Sequence, residues 1–134
     1  MEKTIYHVCA ADDWRTALAG NSYSGSPDDL RDGFMHFSTA RQLLVSVGKH
    51  RAGQTGLLIV EVESAALGAD LRWEVSRGGA RFPHLYGPLP LTAVRRTAPL
   101  PLGPDGHHLF PDWRDVDGWL DGSEAAQRRA PKQA

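Results

Sequence analysis

This sequence lacks most of the features that would assign a protein to a membrane, to a disulfide scaffold or to a nucleic acid. It has one cysteine, Cys9, among 134 residues, so no disulfide can form within the chain. The longest apolar run, residues 56–60, is far too short to span a bilayer. A formal net charge of −1 gives no general attraction to nucleic acid or anionic lipid. With no secretory or transit segment before the first strand-like run, these absences predict a cytoplasmic protein without a membrane or nucleic-acid partner.

The motifs of several common enzyme classes are also absent. Neither a Gly-x-Gly-x-x-Gly fingerprint nor a P-loop is present, which excludes the common loops that cradle phosphate groups. No Gly-x-Ser-x-Gly elbow is present, which argues against a serine hydrolase of the α/β-hydrolase type. There is no His-x-His or His-x-x-x-His pair to anchor a metal, so no metal site is predicted.

Hydrophobic periodicity and turn residues predict an α+β fold in one domain. Strands are predicted over residues 4–9, 34–38, 57–63, 71–76 and 91–98, and helices over residues 14–19, 27–32 and 39–51. Asp12 or Asp13 would cap the first helix and Ser26 the second, while Ser38 or Thr39 would cap the third. Helices and strands do not alternate regularly, and this favours α+β over a βαβ fold.

The domain is predicted to cover residues 1–103, and residues 104–134 form a C-terminal extension. The apolar face of the first helix would consist of Trp14, Leu18 and Ala17. In the extension, the spacing of Trp113 and Trp119 predicts one short docking helix before a frayed tail.

Three histidines lie in segments that are not helical, and they are the main indication of a functional site. His7 and His36 lie in strand-like runs, and the alternation of side chains places His7 on the same face as Ile5 and Cys9. In a later strand, Glu74 points away from the apolar face. These three polar side chains can reach one cleft if their strands are neighbours. The alternative, a buried histidine satisfied by the protein and a solvated glutamate, stays open.

A proline-bounded segment, residues 82–88, is predicted to be a rigid loop that holds His84 and Tyr86. Pro83 and Pro88 restrict their own φ angles and the conformation of the residues before them. Such pre-organisation suits the wall of a binding site. In the alternative interpretation, the two side chains only satisfy buried backbone groups.

Other polar residues have simpler interpretations. Ser38 and Thr39 could cap a helix or bind a ligand, and both roles stay open. Glu61 and Glu63 are expected on an exposed edge of a sheet. The remaining histidines are predicted to be solvated loop residues: His50, His107 and His108.

Four segments together carry a resemblance to a known family. They are Ile5-Tyr6-His7-Val8, Gly33-Phe34-Met35-His36-Phe37-Ser38, Leu71-Arg72-Trp73-Glu74 and Phe82-Pro83-His84-Leu85-Tyr86-Gly87-Pro88. Over about residues 4–102 the chain resembles the DUF952 family of small bacterial proteins. The resemblance implies a fold similar to that of the ADP-ribosyltransferase superfamily, with a split, mostly antiparallel β-sheet and a few short helices around an NAD-binding cleft.

The same resemblance implies roles for individual residues. His7 would hold the nucleotide ribose, and His36 with Ser38 would hold nicotinamide. Glu74 would stabilise the oxocarbenium charge that develops in the transition state. With the proline-bounded segment as one wall, the predicted site therefore has two catalytic residues, Glu74 and His36, and four ligand-binding residues, His7, Ser38, His84 and Tyr86. NAD is the candidate cofactor, and a nucleotide-like small molecule is the expected partner.

Other functions and another choice of carboxylate stay open. Transferases of this type often carry a Glu-x-Glu pair, and here that spacing belongs to Glu61 and Glu63 instead of Glu74. A non-catalytic module that binds a small ligand or a protein would keep the cleft without the chemistry. A metal-dependent hydrolase with histidine and glutamate ligands is the third possibility.

Overall fold

The computed structural model describes residues 2–120, which form two three-stranded sheets with helices around them. The strands are β1 (Thr4–Ala10), β2 (Met35–His36), β3 (Leu57–Glu63), β4 (Leu71–Val75), β5 (Arg81–Leu85) and β6 (Val94–Pro99). The helices are α1 (Ala11–Gly20), α2 (Pro27–Asp32) and α3 (Leu43–His50), and short 3-10 segments cover Ser64–Asp70, Arg77–Gly79 and Leu91–Ala93. The sheet orders are β1–β3–β6 and β2–β5–β4 with antiparallel pairing, so the predicted α+β class and split antiparallel arrangement are confirmed.

The first sheet is buried on both faces, which explains the continuous apolar run of β3. Val60 and Val62 point into a first core that also contains Met35 and Leu85 of the second sheet. On the opposite face of the first sheet, Ile59 belongs to a second core with residues of α3 and of the segment after β6. The first core therefore lies between the two sheets, and the second covers the outer face of the first sheet.

The expectation that Glu61 lies on an exposed edge is wrong. Glu61 is 1% exposed, because β3 is the central strand of its sheet. Its carboxylate accepts hydrogen bonds from the Tyr6 hydroxyl at 2.8 Å and from Arg96 Nε at 2.9 Å. These partners compensate the buried charge, which would otherwise be very costly.

The predicted loop over residues 82–88 is also corrected, because its first half belongs to the central strand β5. The register places Phe37 opposite Pro83, one step beyond the paired residues of β2. Phe37 N–H donates to the Pro83 carbonyl at 3.0 Å. The return bond of an antiparallel pair cannot form, because proline has no N–H. Pairing with β5 ends there, and Ser38 instead exchanges two backbone hydrogen bonds of 2.8 Å with Tyr6 of β1.

The three helices differ from their predictions mainly at their ends. α2 is confirmed in detail, with a capping box between Ser26 and Asp29 and a left-handed residue, Gly33, at its C-cap. α1 begins at Ala11 without a side-chain cap, and Leu18 is 51% exposed instead of buried. Trp14 and Ala17 are buried as expected, so the apolar face of α1 is narrower than predicted.

α3 begins four residues later than predicted. Thr39 Oγ1 accepts a hydrogen bond from Gln42 N–H at 3.2 Å, and Gln42 Oε1 accepts one from Thr39 N–H at 3.0 Å. The hydroxyl of Thr39 thus stabilises a turn that precedes the helix. Within residues 2–120, no helix is long and apolar enough to cross a membrane.

The segment after β6 packs against the second core without forming the predicted helix. Trp113 and Trp119 are buried with ring centroids 5.2 Å apart, and residues 111–120 adopt turns and irregular structure. His108 is 4% exposed and its Nε2 donates to the Gln54 carbonyl at 2.8 Å, so the expectation of a solvated side chain is wrong. The boundary at residue 103 stays a prediction, and the expected frayed tail lies outside the described residues.

Candidate functional site

The outer face of the second sheet carries four of the predicted site residues. His36 of β2 and Arg72 of β4 both lie opposite His84 of β5, so the three side chains share one face. Glu74 is two residues along β4 from Arg72 and therefore lies on that face as well. Tyr86 follows β5 and places its hydroxyl against Glu74. Of the three residues that the alternation of side chains offered for one cleft, His36 and Glu74 lie on this face and His7 does not.

A cavity of about 410 Å³ lies beside this polar face. Its lining comes from β1, α2, α3 with the following Arg51, and from Phe34, His36, Phe82 and His84. Small-molecule sites usually enclose about 300–1,000 Å³, so this cavity is at the small end of that range. It combines aromatic walls with charged groups.

His36 is held as a cation between two carboxylates. Its Nδ1 lies 2.5 Å from Asp29 Oδ1, and its Nε2 lies 3.0 Å from Asp32 Oδ2. Because an ionised carboxylate only accepts, both ring nitrogens donate, and the imidazole carries both protons. The hydrogen bond to Asp29 raises the pKa of His36, although partial burial opposes the shift. Both ring nitrogens of this predicted catalytic residue are therefore occupied within the protein.

Asp29 is the central residue of this arrangement, and the sequence did not indicate its role. Its Oδ1 accepts from both the backbone N–H and the ring of His36, and its Oδ2 accepts from the Ser26 backbone and hydroxyl at 2.7 and 2.9 Å. Burial acts to raise the pKa of Asp29, but His36, His7 and the backbone donors outweigh it and hold that pKa well below its usual range. Gly25 permits the approach, since a Cβ there would lie 2.6 Å from the Asp29 Cβ.

His7 is fully enclosed and is held in its neutral form. Its Nδ1 donates to the His36 carbonyl at 2.8 Å, so its Nε2 accepts from the Tyr23 hydroxyl at 2.8 Å. Burial lowers the pKa of His7, in spite of the nearby Asp29 carboxylate. His7 lines the cavity but uses both ring nitrogens to hold β2 and residue 23, so its contacts are those of a positioning residue.

Together, Asp29 and His7 satisfy the free edge of β2. In the antiparallel ladder, His36 and His84 form a pair without mutual hydrogen bonds, so the N–H and C=O of His36 point away from β5. The N–H donates to Asp29 at 3.0 Å, and the carbonyl accepts from His7. One short strand thereby connects β1, α2 and the second sheet at the cavity.

Glu74 binds two neighbours with one oxygen. Its Oε1 accepts from the Tyr86 hydroxyl at 2.6 Å and from His84 Nδ1 at 2.8 Å. These two hydrogen bonds lower the pKa of Glu74, so the carboxylate is ionised at neutral pH. The Arg72 guanidinium lies over the Tyr86 ring, 4.5 Å from its centroid. Glu74 and Tyr86 do not line the cavity, and His84 lies between Glu74 and the open space.

Phe34 packs the imidazoles into an aromatic cluster that sequence reasoning missed. Its ring centroid lies 4.0 Å from that of His84 and 4.7 Å from that of His36, both in tilted or edge-on arrangements. It also lies 5.3 Å from the ring of Tyr86. The segment that contains Phe34 was part of the family resemblance, but no rule of spacing assigned this side chain to the site.

Arg51 supplies a cation at the cavity without a carboxylate partner among residues 2–120. Its guanidinium donates to the Val8 carbonyl at 3.1 Å and to Gln54 Oε1 at 3.3 Å, which are both uncharged oxygens. The side chain is half-buried and follows α3 directly.

The structure thus brings most of the predicted residues together, but in two groups. His36, His84, Glu74 and Tyr86 form the polar face, while His7 lies beneath β2. Ser38 lines the cavity and connects the sheets through its backbone. In the described part of the chain, no group of three or more His, Cys, Asp or Glu side chains is placed to hold a metal ion.

Comparisons with known proteins agree with the family resemblance. A family model described as "Protein of unknown function (DUF952)" matches residues 8–97. The crystal structure of protein CC0527 from Caulobacter crescentus is 45% identical, with a TM-score of 0.75, and the match covers 78% of this chain and 92% of that chain. The solution NMR structure of CC0527 gives 45% identity and a TM-score of 0.70, with coverage of 78% and 90%. No curated protein matches the chain.

Proposed function

The chain belongs to the DUF952 family, and on that premise we propose that its cavity binds a nucleotide-like ligand in the cytoplasm, with NAD or a phosphoribosyl compound as the first candidates. The reaction we propose is a transfer or hydrolysis at the glycosidic carbon, as in the ADP-ribosyltransferase superfamily. The observation that carries the proposal is that aromatic rings and an uncompensated guanidinium line the same cavity. A nucleotide presents a flat ring and an anionic phosphate, and therefore matches both.

The ring of the ligand has suitable partners on the second sheet. Phe34, Phe82, His36 and His84 all line the cavity, and aromatic side chains bind flat heterocycles by stacking or edge contacts. His36 adds a positive charge that two carboxylates keep in a fixed orientation. A pre-organised wall of this kind loses little conformational freedom when a ligand binds.

The phosphate of the ligand has a suitable partner in Arg51. The acidic groups of α2 already have cationic neighbours, since Asp28 lies 3.3 Å from Arg31 and Asp32 lies 3.0 Å from His36. Arg51 has no such neighbour within residues 2–120, and a guanidinium matches a phosphate in both charge and geometry. At about 410 Å³, we expect the cavity to enclose one ring with its phosphate, and the rest of a dinucleotide to extend outside.

Thermal-shift and calorimetric titrations with NAD, ADP-ribose and nucleoside monophosphates test the proposal. A ligand at 100 times its dissociation constant stabilises the folded state by about 2.7 kcal/mol. Arg51→Gln should weaken the phosphorylated ligands at least tenfold and leave nicotinamide riboside unchanged. Arg15→Gln, an exposed cation on α1, is the matched control and should change nothing. If no nucleotide at millimolar concentration shifts the transition, the proposed function is wrong.

A non-catalytic binding module is the second candidate, and one observation favours it. His7 and His36 use both of their ring nitrogens within the protein, so neither is available for proton transfer. On this alternative the nucleotide binds but is not changed. Incubation with NAD, followed by chromatography of the products, distinguishes the two candidates.

A further inference from the structure

We propose that His84 is the general base of this site and that Glu74 and Tyr86 are its positioning residues. The reaction is the attack of water, or of an acceptor hydroxyl, on the glycosidic carbon of a nicotinamide nucleotide bound in the cavity. The proposal rests on the proposed function and deepens it, because it moves the chemistry from the carboxylate of Glu74 to the imidazole beside it.

The hydrogen bonds of Glu74 fix the tautomer of His84. The ionised carboxylate can only accept, so the contact of 2.8 Å requires a proton on His84 Nδ1. The Tyr86 hydroxyl donates to the same oxygen at 2.6 Å and keeps the carboxylate in place. A neutral His84 therefore has its lone pair on Nε2. Carboxylate, imidazole and an outward-facing Nε2 form the arrangement that enzymes use to orient a histidine base.

His84 lines the cavity, and its Nε2 reaches solvent. Within residues 2–120 no side chain or backbone group forms a hydrogen bond with this atom. The only buried side-chain nitrogen or oxygen without a partner in that range is Trp73 Nε1, so Nε2 of His84 is in contact with solvent. His84 lines the cavity while only 7% of the residue is exposed. The small exposed surface therefore includes the atom that can accept a proton.

His84 differs in this respect from the other two imidazoles of the site. His7 has both ring nitrogens bonded within the protein, and His36 has both bonded to carboxylates. Of the three, His84 alone combines an anchored nitrogen with an available one. The Phe34 ring, 4.0 Å away and edge-on, restricts rotation of the imidazole. The orientation is thus fixed before any ligand binds.

The proposed step balances without an additional reactant. The oxygen of water forms a bond to the anomeric carbon, and the bond from that carbon to the nicotinamide nitrogen breaks, with its electron pair leaving on nicotinamide. The proton of water passes to His84 Nε2 and is later released to solvent. No atom is oxidised or reduced. The negative Glu74 stabilises the imidazolium that forms, as the acidic member of a catalytic triad does.

The first test needs no ligand and measures the tautomer of His84 directly. With ¹⁵N-histidine labelling, NMR should show the neutral His84 ring with its proton on Nδ1. Glu74→Ala should convert this signal to a mixture of tautomers. Glu63→Ala is the matched control, because the Glu63 side chain is 36% exposed, close to the 38% of Glu74, and pairs with Arg95 instead. A proton on Nε2 in the unaltered protein overturns the proposal.

The second test measures nicotinamide release from NAD. His84→Gln should lower the rate about 10²–10⁴-fold, the usual contribution of a general base, while ADP-ribose binding changes less than threefold. Unchanged release in this variant, or binding without release by the unaltered protein, overturns the proposal. Failure of the unaltered protein to bind any nucleotide overturns the proposed function itself, and the thermal shift reveals that before turnover is measured. If His84→Gln does not fold, the tautomer measurement on Glu74→Ala tests the proposal instead, and an unchanged His84 tautomer in that variant overturns it.

Discussion

Two glutamates in this fold each bind a tyrosine hydroxyl and a basic side chain, but their exposure to solvent is very different. Glu61 on the first sheet accepts from the Tyr6 hydroxyl and from Arg96, and Glu74 on the second accepts from the Tyr86 hydroxyl and from His84. In each case an arginine lies over an aromatic ring next to the carboxylate. Glu61 is 1% exposed and the Glu74 side chain 38%.

The difference between them comes from the segment that follows β6. Residues 100–120 cover the outer face of the first sheet with Phe110, Trp113 and Trp119, and Arg96 stacks on Trp113 at 4.2 Å. Nothing comparable covers the outer face of the second sheet, where the described residues leave a cavity. A glutamate with a tyrosine and a basic partner is therefore enclosed on the first sheet and open to solvent on the second.

Removing the segment that covers the outer face of the first sheet should have the largest effect on the difference between Glu61 and Glu74. A chain ending at residue 102 loses Phe110, Trp113, Trp119 and Leu120, and each large apolar side chain contributes about 1.5–3 kcal/mol by burial. Their sum is comparable with the whole stability of a small domain, so we expect this fragment to be unfolded by circular dichroism. A chain ending at residue 120 is the matched control. A folded shorter fragment would instead support the predicted boundary at residue 103.

The second-largest effect is expected when each glutamate is replaced by alanine, because the two variants should differ in stability and in turnover. Glu61→Ala leaves the buried Tyr6 hydroxyl without its carboxylate acceptor, whereas Arg96 keeps its ion pair with Asp115. The free energy of unfolding in urea titrations should therefore fall by about 1–3 kcal/mol. Glu74→Ala should leave the unfolding midpoint nearly unchanged, because its carboxylate reaches solvent. It should still lower turnover, by no more than His84→Gln does, because His84 loses the carboxylate that orients it. Equal losses of stability in the two variants would contradict the distinction between a structural and a functional carboxylate.

The pH dependence of stability should show a smaller effect, with an acidic limb and an alkaline limb along which stability falls on either side of a maximum. The pKa of His36 is raised, so its contribution is complete below its ordinary value of about 6.5 and is lost as the pH rises through the raised pKa. The pKa of His7 is lowered, so its neutral form stabilises the protein above about 6.5, and that contribution is lost as the pH falls. We therefore expect maximal stability near pH 6–7, measured by urea unfolding across pH 5–9.

Single substitutions can separate these two limbs. Asp29→Asn removes the acceptor that raises the pKa of His36, so the loss of stability above neutral pH should become much weaker. His7→Gln should remove the corresponding loss on the acidic side. A pH profile of Asp29→Asn that runs parallel to that of the unaltered protein would contradict the assignment of the alkaline limb to His36.

Local rules predicted the parts of the fold that depend on neighbouring residues. The Ser26 cap of α2 and the bounds of that helix depend on a few consecutive residues, and the structure contains them as predicted. Alternation within each strand allowed His36 and Glu74 to meet, and the pairing of β2 and β4 with β5 brings them to one face. That Asp29 binds Ser26 with one oxygen and His36 with the other was not predictable, because His36 belongs to a strand and lies seven residues away.

The errors arose where distant parts of the chain decide the environment. Pro83 indicated a loop, but its missing donor is tolerated in a central strand because β2 stops at that position. Glu61 indicated an exposed edge, because the sequence of β3 does not reveal that Trp113 and its neighbours cover that face. Arg51 became informative only when the structure showed that its hydrogen-bond partners are uncharged.

The way Asp29 and His7 occupy the edge of β2 also bears on aggregation. An unpaired strand edge is a template on which another chain can add a strand and begin an aggregate. Here the Asp29 carboxylate and the His7 ring occupy the N–H and the carbonyl that such a chain would need. The polar contacts beside the cavity therefore leave neither backbone group of His36 free to pair with an added strand.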